Sequence, residues 1–284
     1  MSHRGPKRAR RFVAATTLIL LGSTARPVTA NASVTNTGVA NSSVANSETE
    51  PTHRASQQTD SAASANSMWL TDMYVETLGR PADDVGIDFW LSRLAGGGAA
   101  AREIVTKSFV YSSEGSAVEV TRAYSDLLSR APDAEGGAFW TDYLRTHPVT
   151  VLRANLIASA EYYNVTVSAD PATSDRDWLD RLYLEVLERP ADPTGRTYWA
   201  SRLADGASRW QVVAAVYLSD ESLGNRADSY AREILGRPLT PTEGAVAIAL
   251  IKAEDERALR AQLLASDEAF EPYLAAIGLL EVDR

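Results

Sequence analysis

Tyr74-Val75-Glu76-Thr77-Leu78-Gly79-Arg80-Pro81-Ala82-Asp83-Asp84-Val85-Gly86-Ile87-Asp88-Phe89-Trp90 is the stretch on which the fold turns, because the chain repeats it. Tyr124 to Trp140 restates it 50 residues later, and Tyr183 to Trp199 restates it 59 residues after that. A fourth copy, through Leu235-Gly236-Arg237-Pro238, has lost the aromatic pair. Self-similarity at such a period marks supersecondary units that bury a core only when stacked on one another.

Each unit reads as three helices. Trp69, Leu70, Met73, Tyr74, Thr77 and Leu78 recur at helical spacing, then Ile87, Trp90, Leu91 and Leu94, then Ile104, Val105, Ser108 and Phe109. Gly79 and Gly96-Gly97-Gly98 punctuate them, and no strand-like alternation intervenes. Trp69, Trp90 and Ser92-Arg93-Leu94-Ala95 all recur 109 residues on, as Trp178, Trp199 and Ser201-Arg202-Leu203-Ala204. A duplicated two-unit block explains that pattern. The expected protein is all-α: tandem three-helix repeats packed as two similar lobes, 68–167 and 175–284, the second ending in a capping helix.

The recurring residues suit structural work. Arg80, Arg130, Arg189 and Arg237 stand at the end of each first helix, where a cation meets the negative end of the dipole. Asp83, Asp133 and Asp192, with Thr240 in the fourth unit, suit N-caps; a cap tolerates threonine, whereas a calcium loop wants carboxylates at alternating positions. Gly86, Gly136 and Gly195 sit one turn into the second helix, which implies close approach of a neighbouring helix. Glu114, Glu161, Glu221 and Glu268 each come two residues after a serine, a standard helix start, and each is expected to pair with the arginine about thirty residues before it. Trp90, Trp140 and Trp199 are candidate ligand-facing aromatics, although core packing is the simpler use of a helical tryptophan.

The first thirty residues carry six bases and no acid around the apolar run Phe12 to Gly22, with small residues at Val28-Thr29-Ala30. An 11-residue run suits a signal peptide and is too short for a membrane anchor. Arg10-Arg11 invites twin-arginine export, but the aromatic Phe12 comes one position early, and ordinary secretion is preferred. Residues 31–67, rich in Ser, Thr, Asn and Ala, read as a disordered stalk. Without the leader the chain carries 22 bases against 37 acids, which argues against nucleic acid and anionic membrane surfaces as partners. No span is expected to cross a membrane after signal cleavage. Cysteine is absent, and of the three histidines only His147 falls within the repeats, so triad and two-histidine metal chemistry find no residues. No metal site, cofactor or catalytic residue is expected.

The combination Tyr-x3-Leu-Gly-Arg-x-x-Asp-x-x-Gly, succeeded by an aromatic-Trp pair and closed by Ser-x-Glu, resembles a bacterial secreted-repeat family, domain of unknown function 4214. The resemblance runs from Trp69 to about Phe270 and is weakest in the fourth unit. It implies an all-helical extracellular module and supplies no catalytic residue. The expectation is therefore a secreted or cell-surface, non-catalytic interaction or scaffold protein whose partner is an extracellular protein or an envelope glycan. A cell-wall or matrix glycan-binding module is the alternative, and a carboxylate-dependent hydrolase the third reading.

Overall fold

The computed structural model describes residues 50–166 and 174–279. Among them are fourteen α-helices and no strand. The first unit comprises α1 (Glu50–Met73, continued by a π-helical turn Tyr74–Leu78), α2 (Asp84–Leu94) and α3 (Gly98–Val110). The second is α4 (Ser113–Leu128), α5 (Ala134–Tyr143) and α6 (Val149–Ala158). The third enters through the short α7 (Ala160–Thr166) and continues as α8 (Ser174–Leu187), α9 (Pro193–Ala204) and α10 (Arg209–Tyr217). The fourth is α11 (Asp220–Ile234), α12 (Pro241–Ala253) and α13 (Glu256–Ala265), after which comes α14 (Asp267–Ala276).

Local chemistry accounts for these boundaries. At α4 the Ser112 hydroxyl accepts from the Gly115 N–H at 2.9 Å, and Glu114 occupies the positive first turn. Val120, Ala123, Tyr124 and Leu127 then bury one helical face. The stop is a left-handed residue, Ser129, and Gly79, Glu188 and Gly236 do the same before the other three arginines. Two of these four are not glycine, and each such residue carries backbone strain of about 1–2 kcal/mol.

The third helices meet at the centre: α3 lies along α13, α13 touches α6, and α6 lies along α10. Each second helix packs chiefly on its own unit and forms the outer layer. The axis of the assembly is α13, in the unit with the weakest motif. Its charged residues are buried with the rest and find partners. The Asp255 carboxylate accepts from Arg257 Nε at 2.7 Å, and the Arg257 guanidinium donates to the carbonyls of Leu144 and His147, both at 3.0 Å. A buried pair of this kind fixes register more than it adds stability.

The expected division into two lobes is not what the packing gives. One apolar cluster runs from Val120 to Tyr217, across the boundary at 167, and joins the second unit to the third. The first unit packs instead on the last. The Trp69 indole N–H donates to the Leu264 carbonyl at 3.2 Å, and the Arg102 guanidinium donates to the Ala265 carbonyl at 3.0 Å. α14 starts as the first helices of the later units do, with Ser266 as N-cap and Glu268 in its first turn. It does not cap the end of a stack but lies against α1 and closes the array on itself.

That closure copies a contact found inside the chain. Phe270 meets Trp69 at 6.3 Å and Arg102 lies 4.1 Å over the Phe270 ring. Tyr163, four residues after Ser159 as Phe270 is four after Ser266, meets Trp178 at 6.5 Å under Arg209 at 4.1 Å. The pair α14/α1 thus repeats α7/α8.

The stalk expectation also needs correction at its end. α1 begins at Glu50, so 50–67 is helical. Ala, Gln and Glu are strong helix formers, Pro51 suits a first turn, and Ala65 is fully buried. The expected signal peptide, residues 31–49 of the expected stalk, the join at 167–173 and the last residues from 280 lie outside the described residues.

Phe270→Ala is expected to cost about 3–5 kcal/mol, as buried aromatic truncations do. Urea unfolding should show one cooperative transition shifted to lower denaturant, whereas separate lobes would give a second transition insensitive to the change. Ser129→Gly relieves the left-handed strain and should raise stability by about 1 kcal/mol in the same assay.

Candidate functional site

The repeated arginine lies just beyond the end of its first helix and reaches forward to the next unit. Arg130 donates from Nε and Nη2 to the two oxygens of Glu161 at 2.5 and 2.7 Å. Arg189 does so to Glu221 at 2.6 and 3.1 Å, and Arg237 to Glu268 at 2.8 and 2.8 Å. Arg80 holds Glu114 in the same two-pronged way. Because the serine and glutamate open the next unit's first helix, this pair clasps one unit to the next. Each arginine also donates to the carbonyl of the residue after it, and Arg80, Arg130 and Arg189 lie over the rings of Tyr74, Tyr124 and Tyr183. The hydrogen bond from Arg130 is the main cause that holds Glu161 below the ordinary glutamate value, and Arg189 does the same for Glu221.

Asp83, Asp133 and Asp192 are N-caps, accepting from the N–H of Gly86, Gly136 and Gly195 at 2.8, 2.7 and 2.9 Å. Those bonds lower Asp133 and Asp192 below the usual aspartate value. The arginines stand 3.6–3.9 Å from the same aspartates, too far to be their main partners. The glycines answer to a different neighbour from the one expected. A Cβ there would fall 2.3, 3.0 and 2.8 Å from the hydroxyl oxygens of Tyr74, Tyr124 and Tyr183, on the first helix of the same unit. The close approach is by a phenol and not by a packed helix.

The fourth unit is rebuilt, not eroded. Aligned on Arg237, the tyrosine position holds Ala231 and the glycine position holds Glu243. The Glu243 carboxylate takes up the vacated space, accepts from Arg237 at 3.0 Å with each oxygen, and completes a capping box with Thr240. Arg237 therefore holds two carboxylates where its counterparts hold one carboxylate and a ring.

The tryptophans are half-buried and join the hydrophobic clusters; Trp90 meets Phe109 edge-on at 5.2 Å, and the Trp199 indole N–H donates to the Tyr183 hydroxyl at 3.1 Å. The outward rings are their predecessors. Phe89, Phe139 and Tyr198 are 47%, 57% and 55% exposed, each set edge-on to the tryptophan after it. In the fourth unit those two places hold the exposed Val246 and the buried Ala247, so the outward and inward roles persist without rings. The second unit carries a row of rings: the exposed Phe139 stacks on the half-buried Tyr143 at 5.9 Å, and Tyr143 on the exposed His147 at 3.8 Å. The i, i+4, i+8 spacing of these three residues is a signal that periodicity alone could have supplied. A second unread signal is an acid four residues before every arginine: Glu76, Asp126, Glu185 and Glu233. Among the described residues no cluster of three or more His, Asp or Glu side chains is arranged to hold a cation, and no helix is long and apolar enough to cross a membrane.

Glu243 is pushed down from 4.5 to about 2, chiefly by its hydrogen bond to Arg237. A lowered value means that its contribution is complete above about pH 4.5 and is lost as pH falls through about 2. Glu243→Gln should lower the melting temperature at neutral pH and narrow its gap from the wild type as pH falls across that window. A gap independent of pH would show that the clasp does not titrate.

Against proteins already classified, one family matches: the domain of unknown function DUF4214, over residues 52–118 and 153–225. Each segment takes in the three helices of the first or third unit and the Ser-x-Glu after them. No curated protein and no solved structure matches the chain.

Proposed function

We propose that this chain, which carries the domain of unknown function DUF4214 in two segments, works as a secreted, non-catalytic interaction module of the cell envelope or extracellular space. The observation that carries the reading is the exposed ring at one position of three successive units. Phe89, Phe139 and Tyr198 stand about half or more in solvent, on second helices that form the outer layer. A ring that only supported the fold would be buried, as the tryptophan beside it largely is; rings repeated on an outer surface suit contact with a partner. The repeated ionisable residues support the non-catalytic part, since the arginines and glutamates are engaged in clasps and the aspartates in caps. Export is inferred from the leader-like first thirty residues.

The glycan-binding alternative draws on Phe139 and His147, the exposed rings at the two ends of a stack centred on the half-buried Tyr143, because an exposed ring face suits the apolar side of a sugar ring. The hydrolase reading would require one particular carboxylate pair across a cleft, and the recurring acids have structural partners.

The test uses the full secreted chain and a triple variant, Phe89→Ala, Phe139→Ala and Tyr198→Ala. The variant should melt within a few degrees of the wild type, since all three rings are exposed. Wild-type protein should co-sediment with isolated envelopes, and the variant should not. Loss of wild-type binding after protease treatment of the envelopes would support a protein partner; binding retained on protein-free sacculi would move the assignment to glycan. Equal binding by variant and wild type would end the role proposed for these rings.

A further inference from the structure

Between the second, third and fourth units lies a cleft of about 170 Å³, room for on the order of ten water molecules. Its floor holds Arg153, Tyr217 and Arg226, and its rim holds Glu185, Glu188 and Ser229. The cleft is made by a substitution between matched helices. α4 and α11 share a register, because Ser112 and Ser219, like Arg130 and Arg237, are 107 residues apart. Ser229 therefore stands where α4 has Arg122. At that counterpart the long side chain crosses the gap and donates to the Glu76 carbonyl at 2.5 Å. The matching acid on this side is Glu185, and a serine cannot reach across to it. The same register puts Arg226 in place of Glu119 and Tyr217 in place of Val110, so polar groups line the space that is left.

The floor is charge-matched but only partly hydrogen-bonded: Arg226 Nη1 donates to the Tyr217 carbonyl at 3.0 Å and to the Ser222 hydroxyl at 2.5 Å. Arg153 donates to Glu119 at 3.2 Å, and Arg226 has its Nε 3.0 Å from a Glu256 oxygen. Burial opposes ionisation of Glu119, yet Arg153, Arg260 and Arg122 hold it below the ordinary value. Even so, Arg153 Nε, Arg226 Nε and Nη2, and the Tyr217 hydroxyl are buried without a hydrogen-bond partner in the protein; the Arg226–Glu256 contact is close but off the line of the N–H. A buried donor left unpaired is costly, so a ligand that supplies acceptors gains affinity without new charge. An anion would meet Glu119, Glu256, Glu185 and Glu188 nearby, and a cation would meet the two arginines. A neutral molecule bearing several hydroxyls satisfies both layers: its oxygens accept from the floor, and its hydroxyls donate to the rim carboxylates.

We propose that this cleft is a binding site for one small neutral polyol of monosaccharide size, recognised by Arg153, Tyr217 and Arg226 below and by Glu185 and Glu188 above. It is separate from the outward rings, and neither site requires the other.

The full chain, with isotope-labelled arginine side chains, would be titrated with glucose, galactose, mannose and N-acetylglucosamine and monitored by magnetic resonance. At least one sugar should give saturable shifts at Arg153 and Arg226. Ser229→Arg should abolish them, because Arg122 shows how an arginine at that place closes the gap, while Ser229→Ala should leave them intact. Glu188→Ala, at an exposed rim position, should weaken binding several-fold without loss of fold, and so tests the site even if Ser229→Arg misfolds. Phe139→Ala should change nothing here. Absence of saturable shifts with all four sugars would overturn the proposal, as would a folded Ser229→Arg, or failing that a Glu188→Ala, that binds like the wild type.

Discussion

The clasp between each repeated arginine and the glutamate that opens the next unit is the constraint on which the architecture rests. Singly it is weak: in the first three units the partners are about two-fifths exposed, a setting in which ion pairs contribute little. Its value is geometric. A two-pronged guanidinium–carboxylate pair fixes an angle as well as a distance. Here it ties the end of one first helix to the start of another, and the left-handed residue before each arginine aims it there. Repeated four times, that fixed step brings the third helices together at the centre and returns α14 to α1.

Those local devices were legible in the sequence because they act within a few residues or at a constant interval. Ser112 and Asp133 announce caps by residue type and by the acid and glycine of the next turn, and the arginine-to-glutamate spacing was enough to expect the pair. Where the chain goes after four steps was not legible. Closure depends on Trp69 meeting Phe270 and Leu264, contacts made 195 or more residues apart with no periodic signature. The duplication visible in Trp69 and Trp178 is real in the structure, but its two copies are joined around a ring instead of folded apart.

The fourth unit shows why motif strength misleads about importance. Its lost aromatic pair suggested decay, and it lacks the tyrosine and glycine of the other units as well. In three dimensions Ala231 and Glu243 replace the latter two together, the smaller side chain on one helix making room for the larger on the next, and α13 of the same unit is the most buried helix. The consensus describes what a peripheral unit needs. A unit at the hub must satisfy Asp255, Glu256 and Arg257 in a nearly dry interior, and it does so with residues that no repeat pattern contains. The outward rings were missed by one position for a related reason: adjacent residues differ by 100° around a helix, and composition does not say which of Phe89 and Trp90 faces in.

The junction of α14 with α1 also bears on how such a protein can evolve. In an open solenoid, units are gained and lost at the ends, because each contacts only its neighbours and a terminal one can be dropped without disturbing the rest. A closed array has no terminal unit. Adding a fifth complete unit would push α14 away from Trp69, and losing one would leave the ring unable to meet. Here copy number is set by geometry, and a longer array would have to arise by joining whole rings end to end.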